Sequence, residues 1–249
     1  MDNNIYLYNN NFISLLNLIF TLIKNNVKPL NIKADSYQPT LLDNIVNLKI
    51  KDEEKIINNI IEKFGSVVFN IMYHVYLSEH ENKELIIYYF FKNCFKYKNK
   101  IIYMRNLKCV NLALKISKYV GHENHKFKGL TRFKELNNHI LYAIIEPENN
   151  ILFLLSKHFK NRLKKEYWII KDEKRKLYSI YDKHDFYLIS EENFKLNKTG
   201  FTTNEEDIEN LWKSFYKTIS IKERENEKCR RNFMPKKYWK HIIEVSDEK

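Results

Sequence analysis

The chain has 249 residues, of which 44% are hydrophobic and 14% aromatic, and this apolar content is ample for a packed core. The three cysteines, Cys94, Cys109 and Cys229, never form a C-x-x-C pair. The sequence therefore offers no thiolate zinc site or iron–sulfur cluster, and a reducing, cytoplasmic compartment is the simple expectation. The formal net charge of +12 favours a polyanionic partner.

The positive charge is concentrated in one stretch of the chain. Residues 1–91 carry eight Lys/Arg against ten Asp/Glu, and residues 135–249 carry twenty-three against twenty. The segment Lys92–Lys134 carries twelve against the single carboxylate of Glu123, a net charge of +11. Such clustering favours polyanion binding, although the same charges would also suit ordinary solvated helix faces.

Residues 1–120 are predicted to form a mostly helical region. Apolar side chains recur at a 3.6-residue period in its longer segments, and Gly65 lies inside the longest of them as a weak point or a close packing contact. The predicted elements, in chain order, are a strand IYLY, a helix ending near Ile23, an irregular segment Val27–Leu48, and helices at Glu53–Leu77, Asn82–Lys96 and Leu107–Tyr119. The apolar run Phe12–Ile23 is too short to cross a bilayer and follows no basic segment, so neither a membrane span nor a signal peptide is expected.

Residues 121–249 are predicted to form an α+β region. A strand at about His139–Glu146 and a helix at Ile151–Leu163 precede three short strands, YWII, LYSIY and FYLI, which form a meander. Thr203 and Glu206 then have capping-box spacing before a helix with one apolar face, made by Ile208, Leu211, Trp212, Phe215 and Ile219. We expect a mostly helical N-terminal half packed against a small, largely antiparallel sheet, with a C-terminal helix and a basic tail.

The helix Ile151–Leu163 carries the first candidate site. On a helical wheel, Ile151, Leu155, Phe159 and Leu163 form an apolar stripe that should pack on the sheet. His158 and Arg162 fall within or beside this stripe, whereas Ser156 and the lysines fall on the opposite side. A partly buried guanidinium needs a partner, and Asp172 and Asp182 are candidates. His158 and Arg162 either tie the helix to the sheet or form a polar site at its edge.

Three further stretches carry candidate nucleic-acid contacts. Lys126, Lys128 and Arg132 flank Gly129 in a predicted loop, where a glycine would let a phosphate approach the backbone; an ordinary basic surface loop is the alternative. His122 and His125 have chelating spacing but no third ligand at a telling distance, so no metal site is expected. In the meander, Trp168 is predicted to belong to the core, with a base-stacking platform as the alternative. Arg175 is a further candidate nucleic-acid contact, and its simplest placement is a solvated hairpin turn.

The C-terminal segment interleaves cations with aromatic residues, a pattern that suits single-stranded or flipped nucleotides. Its cations include Arg224, Arg230 and Arg231. The same pattern fits a tail whose aromatic residues dock on the core while its lysines stay in solvent. We expect Trp239 to dock, and Arg230 and Arg231 to contact nucleic acid.

Cofactor motifs are missing from the sequence. It contains no C-x-x-x-C-x-x-C for a radical SAM cluster, no phosphate-binding G-x-x-x-x-G-K-[ST], no G-x-S-x-G and no zinc-deaminase signature. No cofactor is therefore expected, and self-sufficient enzymes of these kinds are disfavoured.

A family resemblance spans nearly the whole chain. It rests on four blocks in order: YNNNFISLLNLIF, KGLTRFKEL, YAIIEPENNILFLLSKHFKNRL with YWIIKDEKR, and LWKSFYKTISIKERENEKCRRNFMPKKYWKHIIE. Together they resemble an uncharacterised bacterial family of probable DNA metabolism or repair proteins. The resemblance implies a gene neighbourhood with a radical SAM protein of DNA modification or repair, and occasional fusion to a uracil-DNA-glycosylase-like domain. The positions that match its recurring polar residues are Arg132, His158, Arg162, Asp172, Arg175, Arg224 and Asn226.

Three functions remain open from the sequence. The leading hypothesis is a DNA-binding protein of repair or modification that acts as the accessory partner of a separate radical SAM enzyme. The second is a nuclease or glycosylase-like hydrolase that uses His158 and Asp172 for proton transfer and Arg162 to steady a phosphate. The third is a basic scaffold for an acidic protein. We also expect Arg132, Arg162 and Arg224 to converge on one anion site.

Overall fold

A computed structural model of the protein describes residues 4–46, 48, 55–194, 200–202, 204–219 and 221–245. The chain divides into two compact units, Met1–Gly121 and His122–Lys249. Within the described ranges, no helix combines the length and the apolar character needed to cross a membrane.

The first unit contains a small parallel sheet with β1 (Asn4–Tyr8) at its centre. β2 (Asn31–Ala34) and β3 (Asn44–Val46) pair with its two edges. The prediction that Val27–Leu48 is irregular is therefore wrong in part. Each of these strands has only three or four residues, and its hydrogen-bond partner lies far away along the chain, so no local pattern reveals it.

Helices pack around this sheet. The side chain of Asn11 caps the first of them by accepting a 2.7 Å hydrogen bond from the Ser14 N–H. The buried core includes Leu15, Ile19 and Phe90. The helices of the unit are α1 (Phe12–Lys24), α2 (Ile56–Phe64), α3 (Ser66–Leu77), α4 (Lys83–Tyr97) and the part of α5 (Lys108–Leu130) that ends at Gly121, with a 3₁₀ turn at Lys98–Tyr103.

Two helix predictions need correction. The single helix expected over Glu53–Leu77 is broken at Gly65, whose φ of +90° cannot belong to a right-handed helix. A Cβ placed on Gly65 would have no neighbour within 4 Å, so no close packing contact requires a glycine at this position. The glycine is instead required by the positive φ at which the helix ends. α5 continues well past the predicted end at Tyr119, and Gly129 consequently lies in a helix and not in a phosphate-binding loop.

The second unit is built on a five-stranded sheet in the order β4-β5-β6-β7-β8. Its strands are β4 (Lys134–Glu135), β5 (Ile140–Ile145), β6 (Tyr167–Asp172), β7 (Leu177–Tyr181) and β8 (Phe186–Ser190). β5 and β6 are parallel because α6 (Leu152–Arg162) crosses between them, and the other pairs are antiparallel. The predicted α+β class and the largely antiparallel sheet are confirmed.

The face of α6 that packs on the sheet is close to the predicted one. Leu155 and Phe159 are buried, and so is Ile151, just before the helix. Ser156, expected on the solvent side, is fully buried, and its hydroxyl lies 2.7 Å from that of Ser179 on β7. Trp168 is in the core as predicted, stacked on Tyr181 with ring centroids 5.0 Å apart.

The C-terminal part of the second unit contains α7 (Glu205–Thr218), α8 (Glu227–Phe233) and 3₁₀ turns at Lys236–His241 and Ile243–Val245. Trp239 is buried, as the docking prediction requires, and its indole N–H donates to the Met234 carbonyl at 2.8 Å. The apolar face of α7 is 40–72% exposed, residue by residue, at Ile208, Leu211, Trp212, Phe215 and Ile219. Thr203, the predicted cap, lies outside the described residues.

Candidate nucleic-acid interface

The first unit presents a cluster of exposed cations, which we name the basic segment. Its members lie at the end of α4, in the 3₁₀ turn, in the connection after that turn and along α5: Lys92, Lys96, Lys98, Lys100, Arg105, Lys108, Lys115 and Lys118. All eight are exposed. Among the residues that the structure describes, none of the eight forms an ion pair. Lys92 and Lys96 instead lie over the rings of Tyr88 and Tyr97, at 5.9 Å and 5.1 Å from the centroids.

Three cations of the basic segment share one side of α5. At 100° per residue, Lys108, Lys115 and Lys118 lie within an arc of about 80°. The helix therefore presents a row of charges that can follow a phosphate backbone. Since no described carboxylate neutralises them, these charges remain available to a polyanion.

The site predicted on α6 is more open than the helical wheel suggests. Arg162 is exposed, so the expectation that it lies partly buried and needs a carboxylate partner is wrong. α6 ends at this residue. His158 is half-buried against the ring of Phe159, with centroids 5.1 Å apart.

His158 lies in a cationic environment. Burial lowers the pKa of its imidazole, and the positive charges of Lys128 and Arg162 lower it further. Its Nε2 atom is buried, with no hydrogen-bond partner in the described part of the chain. The structure therefore brings Lys128, His158 and Arg162 into one electrostatic neighbourhood, which lowers the pKa of the histidine.

Asp172 and Arg175 form a structural ion pair in place of the predicted solvated turn. Asp172 is fully buried at the end of β6, and its Oδ2 accepts from Arg175 Nη1 at 3.0 Å. The guanidinium also donates to the carbonyls of Pro147 (3.2 Å) and Glu148 (2.5 Å). Burial raises the pKa of Asp172, against the lowering effect of Arg175. Arg175 is therefore the partner of Asp172, and Arg162 is not.

The loop whose carbonyls accept hydrogen bonds from Arg175 also donates hydrogen bonds to Glu123. This buried carboxylate accepts from the N–H groups of Glu148 and Asn149, from the Asn149 side chain, and from the Tyr238 hydroxyl, over 2.6–2.9 Å. In the sequence, Glu123 stands out only as the lone acid of a basic stretch. Its isolation among twelve cations is the one local signal that it has a specific task.

Arg132 is engaged in a network of its own. Its guanidinium forms two hydrogen bonds to the Glu244 carboxylate, one of them 3.2 Å long from Nε, and it lies 5.8 Å from the ring of Trp212 on α7. The Trp212 indole also donates to Glu244, at 3.1 Å. Arg132 lowers the pKa of Glu244, whereas burial acts in the opposite direction. The guanidinium thus joins the C-terminal turns to the start of the sheet.

A cavity of about 270 Å³ lies beside this network in the second unit. Its cations are paired: Lys134 contacts Glu209, and Lys240 contacts Glu146 at 2.7 Å. Tyr142 on β5 is one of the residues that line the cavity, and burial raises the pKa of its hydroxyl to about 12. The charges at the cavity are therefore close to balance, without the excess positive charge of the basic segment.

The C-terminal arginines are likewise partnered. Arg230 and Arg231 both contact Glu227, at 3.2 Å and 2.6 Å, and Arg230 lies 4.8 Å from the ring of Trp239. Asn226 caps α8 by accepting from the Cys229 N–H at 2.9 Å. Arg224 is exposed in a short 3₁₀ turn, and Lys126 donates to the Asn232 carbonyl at 3.0 Å. No contact unites Arg132, Arg162 and Arg224 among the described residues, so their convergence stays a prediction.

Comparisons with known proteins identify one family. A family model described as a domain of unknown function, DUF4130, matches residues 81–244. No curated protein and no solved structure matches the chain. In the ranges that the structure covers, no group of three or more His, Cys, Asp or Glu residues is placed to hold a metal ion. The matched stretch contains the whole basic segment.

Proposed function

We propose, from the premise that the chain belongs to the DUF4130 family, that it binds nucleic acid through the basic segment and acts in DNA repair or modification. The observation that supports this proposal is the set of eight exposed cations without ion pairs in the described structure. Each phosphate contact made by such a cation releases counterions and contributes to affinity.

The ion pairs of the other cations favour the basic segment as the main binding surface. Arg132, Arg175, Arg230 and Arg231 already contact carboxylates. A phosphate would have to displace those carboxylates, and it would gain less than it gains at an unpaired lysine. We therefore assign the main contacts to the basic segment, and a secondary role to Lys128 and Arg162 beside His158.

The test compares two variants in which the formal charge falls by the same amount. One replaces Lys92, Lys96, Lys98 and Lys100 by Gln. The control replaces four ion-paired lysines, Lys134, Lys160, Lys237 and Lys240, by Gln. Binding of labelled DNA is measured by anisotropy across a salt series. We expect the first variant to reduce the log–log salt slope by about 0.7–0.9 for each lysine–phosphate pair removed, and the control to change it much less.

Equal effects of the two variants would show that only net charge matters and would remove the basis for a located interface. A flat salt dependence in the unaltered protein would contradict nucleic-acid binding altogether.

The proposed partner is a separate radical SAM enzyme, to which this chain would deliver or specify the DNA target. The family resemblance motivates this part, together with the missing cluster and cofactor motifs in the sequence. Affinity purification after nuclease treatment tests it. Recovery of such an enzyme supports the pairing, whereas recovery of an acidic protein alone would favour the scaffold alternative.

The hydrolase alternative depends on His158 and Asp172. Both oxygens of Asp172 already accept hydrogen bonds, from the N–H groups of Lys174 and Arg175 and from the Arg175 guanidinium. Proton transfer through this carboxylate would disrupt those bonds, which disfavours the alternative. Cleavage of oligonucleotides that disappears in the His158→Ala variant would revive it.

A further inference from the structure

An aromatic cleft opens on the surface of the first unit, between α1, α2 and α4. We name it the Phe20–Phe95 cleft. Its volume is about 240 Å³, and its lining consists of Phe20, Ile56, Asn59, Ile60, Lys63, Phe64, Phe91 and Phe95. Phe20 and Phe95 are 43% and 37% exposed, so two phenyl rings at its mouth are accessible from solvent.

The rings form a continuous aromatic wall. The centroids of Phe20 and Phe95 are 6.4 Å apart, with their planes at 38°. Phe95 also contacts Phe64 and Phe91, at 5.2 Å and 5.3 Å between centroids. These buried neighbours pack against Phe95, which stays 37% exposed. A planar ring that lies on such a wall gains stacking energy without ordering a mobile side chain.

Two polar groups line the same cleft. The Lys63 ammonium lies 5.1 Å from the Phe95 centroid and 5.6 Å from that of Phe64. It has no carboxylate partner in the ranges that the structure describes. Asn59 is exposed, and its side-chain amide makes no hydrogen bond to any described residue. An amide offers a donor and an acceptor together, which is what the edge of a heterocyclic base requires.

The cleft adjoins the basic segment through α4. Phe95 lies between Lys92 and Lys96 in the sequence, and both lysines are exposed without ion pairs among the described residues. A ligand in the cleft therefore meets an aromatic wall, an amide and the Lys63 ammonium, and Lys92 and Lys96 lie on the same helix as Phe95. At about 240 Å³ the cleft is smaller than the roughly 300–1,000 Å³ of typical small-molecule sites, so it suits one ring system better than a whole cofactor.

We infer that the Phe20–Phe95 cleft binds an unstacked base of a single-stranded nucleic acid, while the basic segment holds the flanking phosphates. The inference rests on the proposed function and adds the strand type and the base site. Bases in a duplex are stacked on each other and cannot reach such a wall unless they are extruded. Stacking tolerates any base because every base has an aromatic face, so strong sequence preference is not expected.

The test separates stacking from charge. Phe20→Leu and Phe95→Leu each keep an apolar side chain but remove the ring. Tyr103→Leu is the matched control, because Tyr103 is a 75% exposed aromatic residue within the same stretch as the basic segment but outside the cleft lining. The probes are an oligothymidylate, an abasic strand with the same number of phosphates, and a duplex of the same length. Thermal unfolding checks that each variant is folded.

We expect the unaltered protein to prefer the oligothymidylate over the abasic strand by roughly 5- to 100-fold. Phe20→Leu and Phe95→Leu should abolish most of that preference with an unchanged salt slope, and Tyr103→Leu should keep it. Asn59→Ala, which removes the uncharged polar side chain of the cleft, should weaken thymidylate binding several-fold and leave the abasic strand unaffected.

The outcomes distinguish this inference from the proposed function. Equal binding of thymidylate and abasic strands, or tightest binding of the duplex, overturns the base site and leaves the basic segment standing. Salt-independent or absent binding of all three probes overturns both. Binding of an acidic amphipathic peptide that depends on Phe20 and Phe95, with oligonucleotide binding insensitive to them, would assign the cleft to a protein partner and overturn the inference.

Discussion

Glu123 is the residue on which several parts of the second unit depend. Its two carboxylate oxygens accept four hydrogen bonds, from two backbone N–H groups, the Asn149 amide and the Tyr238 hydroxyl. A buried carboxylate is costly unless its lone pairs are satisfied, and here all four partners are donors. Glu123 thus joins α5, the loop after β5 and the C-terminal turn.

Replacement of this carboxylate by an amide should be destabilising. In Glu123→Gln, the –NH₂ group would replace an oxygen that accepts hydrogen bonds. At least one bond from a backbone N–H group, that of Glu148 or that of Asn149, is therefore lost. We expect the free energy of unfolding to fall by about 1–3 kcal/mol, measured by urea denaturation. Glu166→Gln is the control, since Glu166 is exposed, and it should stay within about 0.5 kcal/mol of the unaltered protein. A Glu123→Gln variant as stable as this control would show that the four bonds contribute no net stability.

Two arginines show how far residue type alone can mislead. Arg162 and Arg175 both match polar positions of the family resemblance, yet the first is exposed and the second is bound to Asp172 and two carbonyls. The carbonyls that Arg175 contacts belong to a loop some 27 residues away in sequence. Local periodicity cannot reveal such a partner, because it reports only which side of one element a residue occupies.

At the scale of elements, the break between α2 and α3 is the feature most dependent on one residue. Gly65 ends α2 and precedes α3 with a φ of +90°, which other residues adopt only with strain. The apolar period runs through this position without interruption, which is why it predicts a single helix. The glycine itself is the signal of the break.

Alanine substitutions at two glycines should have opposite effects. Gly65→Ala imposes a strained backbone and should lower the free energy of unfolding by about 1 kcal/mol or more. Gly121→Ala lies in α5, where a new Cβ would meet only the His74 ring at an ordinary 3.8 Å, and it should raise stability by about 0.4–1 kcal/mol. Thermal and urea unfolding would measure both. Stabilisation by Gly65→Ala would mean that the chain can rejoin α2 and α3 into one helix.

At the scale of the whole molecule, half-buried histidines make stability depend on pH. Burial is the largest cause that lowers the pKa of His74, His158 and His241 from the ordinary 6.5, and these residues are found in both units. A histidine with a lower pKa in the folded chain binds fewer protons there than in the unfolded chain. Stability therefore falls as the pH falls through 6.5 towards the folded-state pKa.

We expect the free energy of unfolding to decrease between about pH 7.5 and pH 5.5, as measured by urea denaturation. Carboxylates with a lowered pKa, such as Glu244, change the stability only as the pH falls below their ordinary pKa of 4.5. They therefore do not contribute to the pH dependence in this range. His158→Phe removes one of the three groups together with its unpaired Nε2, so its pH dependence should be shallower. Identical pH profiles for the two proteins would show that His158 keeps its ordinary pKa when folded.

Charge pairing at this scale separates two classes of cation that look alike in the sequence. The lysines of the basic segment have no carboxylate partner in the described structure, whereas Arg132, Arg175, Arg230 and Arg231 of the second unit do. Composition is sufficient to locate the excess charge in Lys92–Lys134. It cannot say which charges are free, since pairing joins residues such as Arg132 and Glu244 that are far apart along the chain.

The sequence by itself determined the α+β class, the helices α1, α4 and α6, the meander and the burial of Trp168. Each of these features follows from the spacing of apolar residues within a short stretch of the chain. Only the tertiary structure decided the parallel strands β2 and β3, the burial of Ser156, the Asp172–Arg175 pair and the aromatic cleft between Phe20 and Phe95. Most of these features join segments that are distant in sequence. Their energies depend on contacts that exist only after the chain has folded, so no window of neighbouring residues contains them.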